Sequence, residues 1–379
     1  MQRVGGASGA YVMDIGARRT RTLFSWASGA RRILASNTKL FTAAAVLDRF
    51  GSEGRWSTRV YAQPQNGIGG HTLHGDLVLV GAGDPALATA PFADRHRLPL
   101  TSLGGLVNDV RSSGIRRVTG RVLADDSIFD RRRGVPTTGV DASGELAPLS
   151  GLSFDSGLAH GHYAANPELV AARKLRRKLR AAGVFVRKGT GRADLPAQAV
   201  GQPFLGSVAS PRIERLIAAT LKPSNNFFAE MLLKRLAAGR HARGTTRRGA
   251  RKVKRFAESL GTGVSLENGS GLSRSNRASP RQVGGLLVAM SRRSDGVTFR
   301  RSLPLAGKEG TVAGRMNGTA AAGRCRAKTG TLIGVSALSG YCNAGHGLVA
   351  FSFLMNSVDV HTARKAQDRM AALMARYHP

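Results

Sequence analysis

A chain of 379 residues with 42% hydrophobic residues and only 14 prolines can bury one large core or two modest ones, which excludes disorder as its main theme. Lysine and arginine total 57 against 23 acidic residues, a formal charge of +34, so the surface field attracts anionic polymers: nucleic acid, anionic membranes and acidic wall polymers all qualify. The two cysteines, Cys325 and Cys342, are too few for a disulfide framework and too distant for a metal knuckle.

In chain order, Met1 to Ala10 is short and Gly-rich and lacks the pattern of a signal peptide, so export is not read from it. Tyr11 to Ile15 and Thr22 to Trp26 predict a hairpin across a Gly16-to-Arg21 turn. A helix follows, with Ser36 near its start, helix formers from Lys39 to Leu47 that are apolar at i, i+3 and i+4, and Gly51 as its stop. From about Gln63 to Pro203 the texture changes to short β-like runs such as Leu77 to Val80 and Arg121 to Ala124, separated by Gly and Pro turns. Within this module the Gly81-to-Pro85 segment superficially resembles a phosphate loop, but its proline prevents the helix that such a loop needs, so it is read as a turn. The carboxylates of Asp125 to Asp130 are read as turn and cap residues rather than a cation site.

Helical patterns return at Pro211 to Leu221, Phe227 to Ala238 and Arg247 to Leu260. The densest basic stretches, Arg173 to Arg180 and Arg247 to Arg255, are interleaved with apolar residues at helical spacing, Val253, Phe256 and Leu260 in the second. Both are therefore read as solvated helix faces, and with no accompanying nucleic-acid motif no nucleic-acid partner is expected. The longest uncharged stretch, Thr329 to Val358, matches a membrane span in length, but Gly334, Gly340, Gly345 and Gly347, with Asn343 and His346, interrupt it. Val335 to Cys342 and Leu348 to Met355 predict two strands there, so no transmembrane segment is expected. A helix from about Val360 to Tyr377 closes the chain. Helix and strand runs at both ends around a different module predict an inserted domain, residues 63–205, within a domain formed by 1–62 and 206–379.

Three short motifs carry the chemistry: Ser36-Asn37-Thr38-Lys39, Ser224-Asn225-Asn226 and Lys328-Thr329-Gly330. Any one alone arises by chance in a chain rich in Ser, Lys and Gly. In this order they match the Ser-x-x-Lys, Ser-x-Asn, Lys-Thr-Gly set of β-lactamases and penicillin-binding proteins. A serine and a lysine three apart at a helix start lie on one face, with the ammonium in reach of the hydroxyl. For Lys39 to accept the proton it must be neutral, which burial, the positive helix end or a second cation such as Lys328 would favour. Lys328 is also expected to meet a substrate carboxylate as a charged group at the rim. The backbone N–H of Ser36 supplies one donor to the oxygen that turns negative during attack. Ser224 can relay a proton to the leaving amine, and the carboxamide of Asn226 can hold the substrate's peptide bond. No Gly-x-Ser-x-Gly elbow, His-Glu-x-x-His pair, Cys-x-x-Cys or Walker loop competes with this reading.

Longer strings extend the match: Ala35 to Ala44, Gly81 to Leu87, Asp125 to Asp130, Pro148-Leu149-Ser150, Ser224 to Leu233, Gly269 to Asn276 and Leu305 to Tyr341. On these the chain resembles the D-alanyl-D-alanine carboxypeptidase/endopeptidase family, the class C low-molecular-mass penicillin-binding proteins. The resemblance implies an α/β (α+β) fold of the β-lactamase/transpeptidase type, an antiparallel sheet flanked by helices with a smaller β-rich insertion. It implies peptidoglycan stem peptides as substrates, β-lactams as inhibitors, Ser36, Lys39 and Ser224 as catalytic residues, and Asn226, Lys328, Thr329, Gly330 and Thr331 as the substrate site. Thr331 would give the second oxyanion donor through its backbone N–H. No metal or organic cofactor is implied, and anionic cell-wall polymers are a further expected partner. Two departures stand out: the inserted stretch is shorter than in members with two nested insertions, and Asn268 replaces the family's Asp. Because the family works outside the cytoplasm, on the periplasmic or wall side, the missing signal predicts a truncated N-terminus. The alternatives are a β-lactamase or esterase relative using the same Ser-Lys pair, and a non-catalytic basic wall-binding protein.

A two-residue turn at Ile333-Gly334 would place Cys325 directly opposite Cys342, within disulfide reach, and on the face away from Lys328.

Overall fold

A computed structural model describes residues 5–16, 20–64, 66–135, 144–193, 202–239, 242–345 and 347–378. They fall into two compact units, one formed by Met1–Glu53, Ile213–Ala229 and Gly249–Pro379, the other by Gly54–Arg212 and Glu230–Arg248.

The first unit is built on a five-stranded sheet in the order Cys325–Leu332, Val335–Ala344, Gly347–Asn356, Ala7–Asp14, Arg21–Trp26, antiparallel throughout. The uncharged stretch forms its two central strands. They are apolar on both faces because helices cover both: Val360–Ala375 supplies Ala363, Ala371 and Met374 to one core with Phe351 and Phe353, while Tyr341 donates to the Leu287 carbonyl of Pro280–Ser291 at 2.7 Å. Leu332 pairs with Val335, so Ile333-Gly334 is the whole turn, and Gly334 takes the left-handed φ of +69° that a two-residue hairpin needs. The Tyr11 and Thr22 hairpin forms with a register slip at Val12 and Met13; part of its expected Gly16-to-Arg21 turn, like His346, lies outside the described residues.

Helix boundaries follow local chemistry. Pro280–Ser291 starts with a capping box of Ser279 and Gln282, and Asp359 caps Val360–Ala375 by accepting the Thr362 N–H at 2.7 Å. Thr38–Phe50 is buried without interruption from Thr38 to Leu47 and stops at Gly51, φ +69°. No helix among the described residues is long and apolar enough to cross a membrane.

The second unit has a mixed five-stranded sheet, Thr190–Arg192, Val122–Asp125, Asp76–Val80, Ser57–Gln63 and Phe204–Ala209, its first two pairings parallel and its last two antiparallel. Helices Gly104–Ser112 and Pro167–Ala181 bury Leu106, Val110, Leu175 and Leu179 against Leu77, Leu79 and Val122. The first of these helices is missing from the predicted elements, because Gly104 and Gly105 argue against a helix start; Gly105 is needed since a Cβ there would lie 2.7 Å from Val208 Cγ1. Gly81 to Pro85 is a turn whose Asp84 accepts from the Ala86 N–H at 2.9 Å and the Thr101 hydroxyl at 2.6 Å. Burial pushes the Asp84 carboxyl up to about 6. In the Asp125-to-Asp130 segment, Asp125 accepts the Ser127 N–H, Asp126 pairs with Arg133 at 2.7 Å and Asp130 with Lys234 at 2.6 Å.

Candidate active site

Ser36 occupies a short 3-10 turn, Ala35–Asn37, that leads directly into the buried helix Thr38–Phe50. From Arg32 to Leu47 it is the one residue that keeps partial exposure. The turn is tight: Ala35 sits at φ +46°, a left-handed conformation costing a non-glycine residue roughly 1 kcal/mol. Two glycines leave room for it. A Cβ on Gly271 would come within 1.9 Å of the Ala35 carbonyl oxygen, and one on Gly330 within 2.7 Å of the Leu34 oxygen and 3.1 Å of the Ser36 nitrogen. The Ser36 turn therefore packs so closely on the third motif that a side chain at Gly330 would not fit without movement.

One turn along, Lys39 has no exposed surface, and its Nζ donates to Ser36 Oγ at 2.9 Å, to Asn226 Oδ1 at 2.7 Å and to the Ser270 carbonyl at 2.7 Å. Three hydrogen bonds aim the amine at the hydroxyl. The second motif is positioned by a helix cap: Asn225 accepts the Phe228 N–H at 3.0 Å, so the helix Asn226–Ala237 begins at the residue that contacts Lys39. Ser224 precedes the cap at φ +62° and is half-buried, its hydroxyl without a side-chain hydrogen bond among the described residues.

Lys328 differs from expectation. It is fully buried and not at a rim, its Nζ donating to the Thr329 carbonyl at 2.9 Å, because its strand position faces the interior beside Lys39. Burial, with the Lys39 charge second, pushes its amine well below the ordinary lysine value. The two buried amines repel each other, so the pair resists holding both protons. Thr329 donates to Thr311 Oγ1 at 2.7 Å, and the exposed Thr331 hydroxyl accepts from Arg364 at 3.0 Å.

The motif strand is an edge strand, and its phase decides which amides face outward. Cys325 and Cys342 lie directly opposite with Cα atoms 4.0 Å apart, the close spacing of a non-hydrogen-bonded pair, and they form a disulfide. Accordingly the N–H groups of Cys325 and Ala327 donate away from the neighbouring strand, to Ala321 and Pro304 carbonyls at 3.0 and 3.1 Å. The register continues unbroken to Leu332, so the Thr331 N–H shares this outward phase. Asn37 closes the arrangement by donating to the Lys328 carbonyl at 3.1 Å.

Several supporting residues were not singled out from sequence. Asn276 donates to Thr38 Oγ1 at 3.2 Å and to Asn268 Oδ1 at 2.8 Å, while Thr42 donates to the Gly269 carbonyl at 3.0 Å. These bonds fix the loop that delivers the Ser270 carbonyl to Lys39. Asn268 in place of Asp keeps the turn, since its Oδ1 also accepts the Gly271 N–H at 3.0 Å. The Gly269-to-Asn276 string was a signal for this loop, but nothing in its spacing named Ser270.

A family model described as D-Ala-D-Ala carboxypeptidase 3 (S13) matches residues 2–165 and 159–377. A D-alanyl-D-alanine carboxypeptidase of Actinomadura sp. (strain R39) is 30% identical over 98% of this chain and 82% of its own length. Carboxypeptidase Rv3627c of Mycobacterium tuberculosis is 31% identical over 89% of this chain and 74% of its own. The crystal structure of penicillin binding protein 4 (dacB) from Haemophilus influenzae shares the fold at a TM-score of 0.78 and 20% identity, covering 98% of both chains.

Proposed function

The chain belongs to the D-Ala-D-Ala carboxypeptidase 3 (S13) family, and from that membership we propose that it removes the terminal D-alanine of peptidoglycan stem peptides through an acyl-enzyme on Ser36. It is a serine-type, penicillin-binding carboxypeptidase, and a β-lactam would acylate the same serine. The observation that carries the assignment of the nucleophile is the 2.9 Å hydrogen bond from Lys39 Nζ to Ser36 Oγ.

Once deprotonated, Lys39 keeps its bonds to Asn226 Oδ1 and the Ser270 carbonyl, turns its lone pair to Ser36 Oγ and takes the hydroxyl proton as Oγ attacks the carbonyl carbon of the scissile D-Ala-D-Ala bond. Two amines buried side by side resist carrying two charges, and burial pushes the amine of Lys328 well below the ordinary lysine value. The N–H groups of Ser36 and Thr331 receive the developing oxyanion, each such donor contributing about 10²–10³-fold. Ser224 passes a proton to the leaving amine, after which water attacks the ester along the same route in reverse. Asn226, Lys328, Thr329, Gly330 and Thr331 make up the proposed substrate site, with Lys328 in its floor and not at its rim. We place the inserted domain around 63–205, with its flanking strands Ser57–Gln63 and Phe204–Ala209 in the same unit, and the catalytic domain in the segments on either side. Its place of work is the wall side of the membrane, where such peptides are.

Release of D-alanine from a stem pentapeptide, compared with cleavage of a D-amino-acid-crosslinked dimer, tests the reaction. D-alanine release that disappears in Ser36→Ala is expected; a Ser36→Ala enzyme that still releases it at the native rate contradicts the proposal. Dimer cleavage by the native enzyme alone would reassign it as an endopeptidase.

A further inference from the structure

The helix Pro167–Ala181 buries Val170, Leu175 and Leu179 in the core of its unit and turns its other side to a cavity of about 820 Å³. Arg173, Arg176, Arg177 and Arg180 line this cavity, with Gly189 and Thr190 opposite. From Arg173 to Arg180 six of eight residues are cationic and none is acidic. No carboxylate lines the cavity, and none of the four arginines forms a salt bridge among the described residues. The one acid of the helix, Glu168, is buried and committed to Arg133 and Arg192 at 2.8 and 2.6 Å. Arginines three and four residues apart repel along a helix, so this row opposes the helix that carries it and gains most from an anion bound outside the chain.

Its geometry selects the anion. Arg173 and Arg180 are separated by about 10 Å of helix rise, two turns, which suits a repeated charge rather than one phosphate. Arg176 is held in place by donating to the Lys188 carbonyl at 2.9 Å, so the row is partly ordered in advance. Phe185, an exposed aromatic beside the row, carries the Arg117 guanidinium 5.5 Å and the Arg180 guanidinium 6.0 Å from its ring centroid. No aromatic among the described residues lines the cavity, so ring stacking contributes nothing there and backbone charge dominates recognition. The structure assigns this groove to a linear, base-free phosphodiester polymer of the wall, a polyol phosphate, bound by its backbone charge. The choice of a wall polymer rests on the proposed action on wall peptides.

The test uses the full chain and purified poly(glycerol phosphate), with binding followed by anisotropy over a salt series. Arg173→Gln/Arg177→Gln/Arg180→Gln is expected to weaken binding about tenfold or more at moderate salt and to lower the salt slope by about two. Arg247→Gln/Arg251→Gln/Arg255→Gln, which removes the same charge from an exposed helix, is expected to bind within about twofold of native. Penicillin acylation, measured in parallel, should be native in both variants; its absence from the native chain would overturn the enzymatic reading without touching the binding result. Equal loss in both variants, or native binding by the groove variant, contradicts the assignment. So does a single-stranded oligonucleotide that binds the groove more tightly than poly(glycerol phosphate) of equal charge.

Discussion

Lys39, Lys234 and Lys328 are all fully buried, and only comparison of their partners separates structure from chemistry. Lys234 meets the Asp130 carboxylate at 2.6 Å, the ordinary way to bury an ammonium. Lys328 has no carboxylate among the described residues and faces the charge of Lys39 instead, an arrangement that stability alone does not explain. Asp84 is a third kind of buried charge, remote in sequence from the motifs, and it yields a pH prediction. Its carboxyl is raised from 3.8 to about 6, so the folded state holds the proton more tightly than the unfolded chain. That contribution is complete below about pH 4 and is lost as pH rises through 6, a change of about 3 kcal/mol at 1.36 kcal/mol per unit. Urea unfolding between pH 4 and 7 should show it, and Asp84→Asn should flatten the profile; an unchanged profile in the variant would refute the assignment. At this scale the Ser36 and Lys39 pair was legible, because a three-residue helical spacing brings the two side chains together. The burial of Lys328 was not, since strand alternation gives a side chain's face but not what covers it.

Among the elements, the edge strand Cys325–Leu332 does two jobs on its two faces. Toward Ser36 it presents Gly330, and Gly330→Ala would force the strand from the nucleophile turn, since its Cβ would meet the Leu34 oxygen at 2.7 Å. Acylation by penicillin is expected to slow about 10²-fold, the cost of displacing a reacting group by about 1 Å, with the fold retained by circular dichroism. A native acylation rate in this variant would show that the contact is slack. On the opposite face the Cys325–Cys342 disulfide closes a loop with a sequence separation of 17, worth about 3 kcal/mol. Replacing both cysteines with alanine should lower the denaturant midpoint accordingly while leaving acylation near native; loss of acylation in a folded variant would mean that the disulfide positions the site. This pairing was readable from the two-residue turn and strand parity. The loop holding Ser270 and Asn276 was not, because its long-range hydrogen bonds have no period in the sequence.

For the whole molecule, the antiparallel sheet with helices on both faces followed from the order of patterns and from the family resemblance together. The α/β character of the central unit was only half legible: its strands showed as short apolar runs, whereas the parallel pairings depend on crossovers that local patterning does not record. The net charge of +34 was plain in the composition and the basic face of Pro167–Ala181 in the helical spacing of Arg173 to Arg180, but the cavity that this face lines emerged only with the fold. The catalytic unit is arranged around one half-exposed serine, set between two glycines and beside a buried lysine, which we propose attacks substrate. Intact-mass measurement after incubation with benzylpenicillin tests that role most directly. The native chain should gain the mass of one penicillin, and Ser36→Ala should gain none. An equal adduct on both proteins, or none on either, would contradict it.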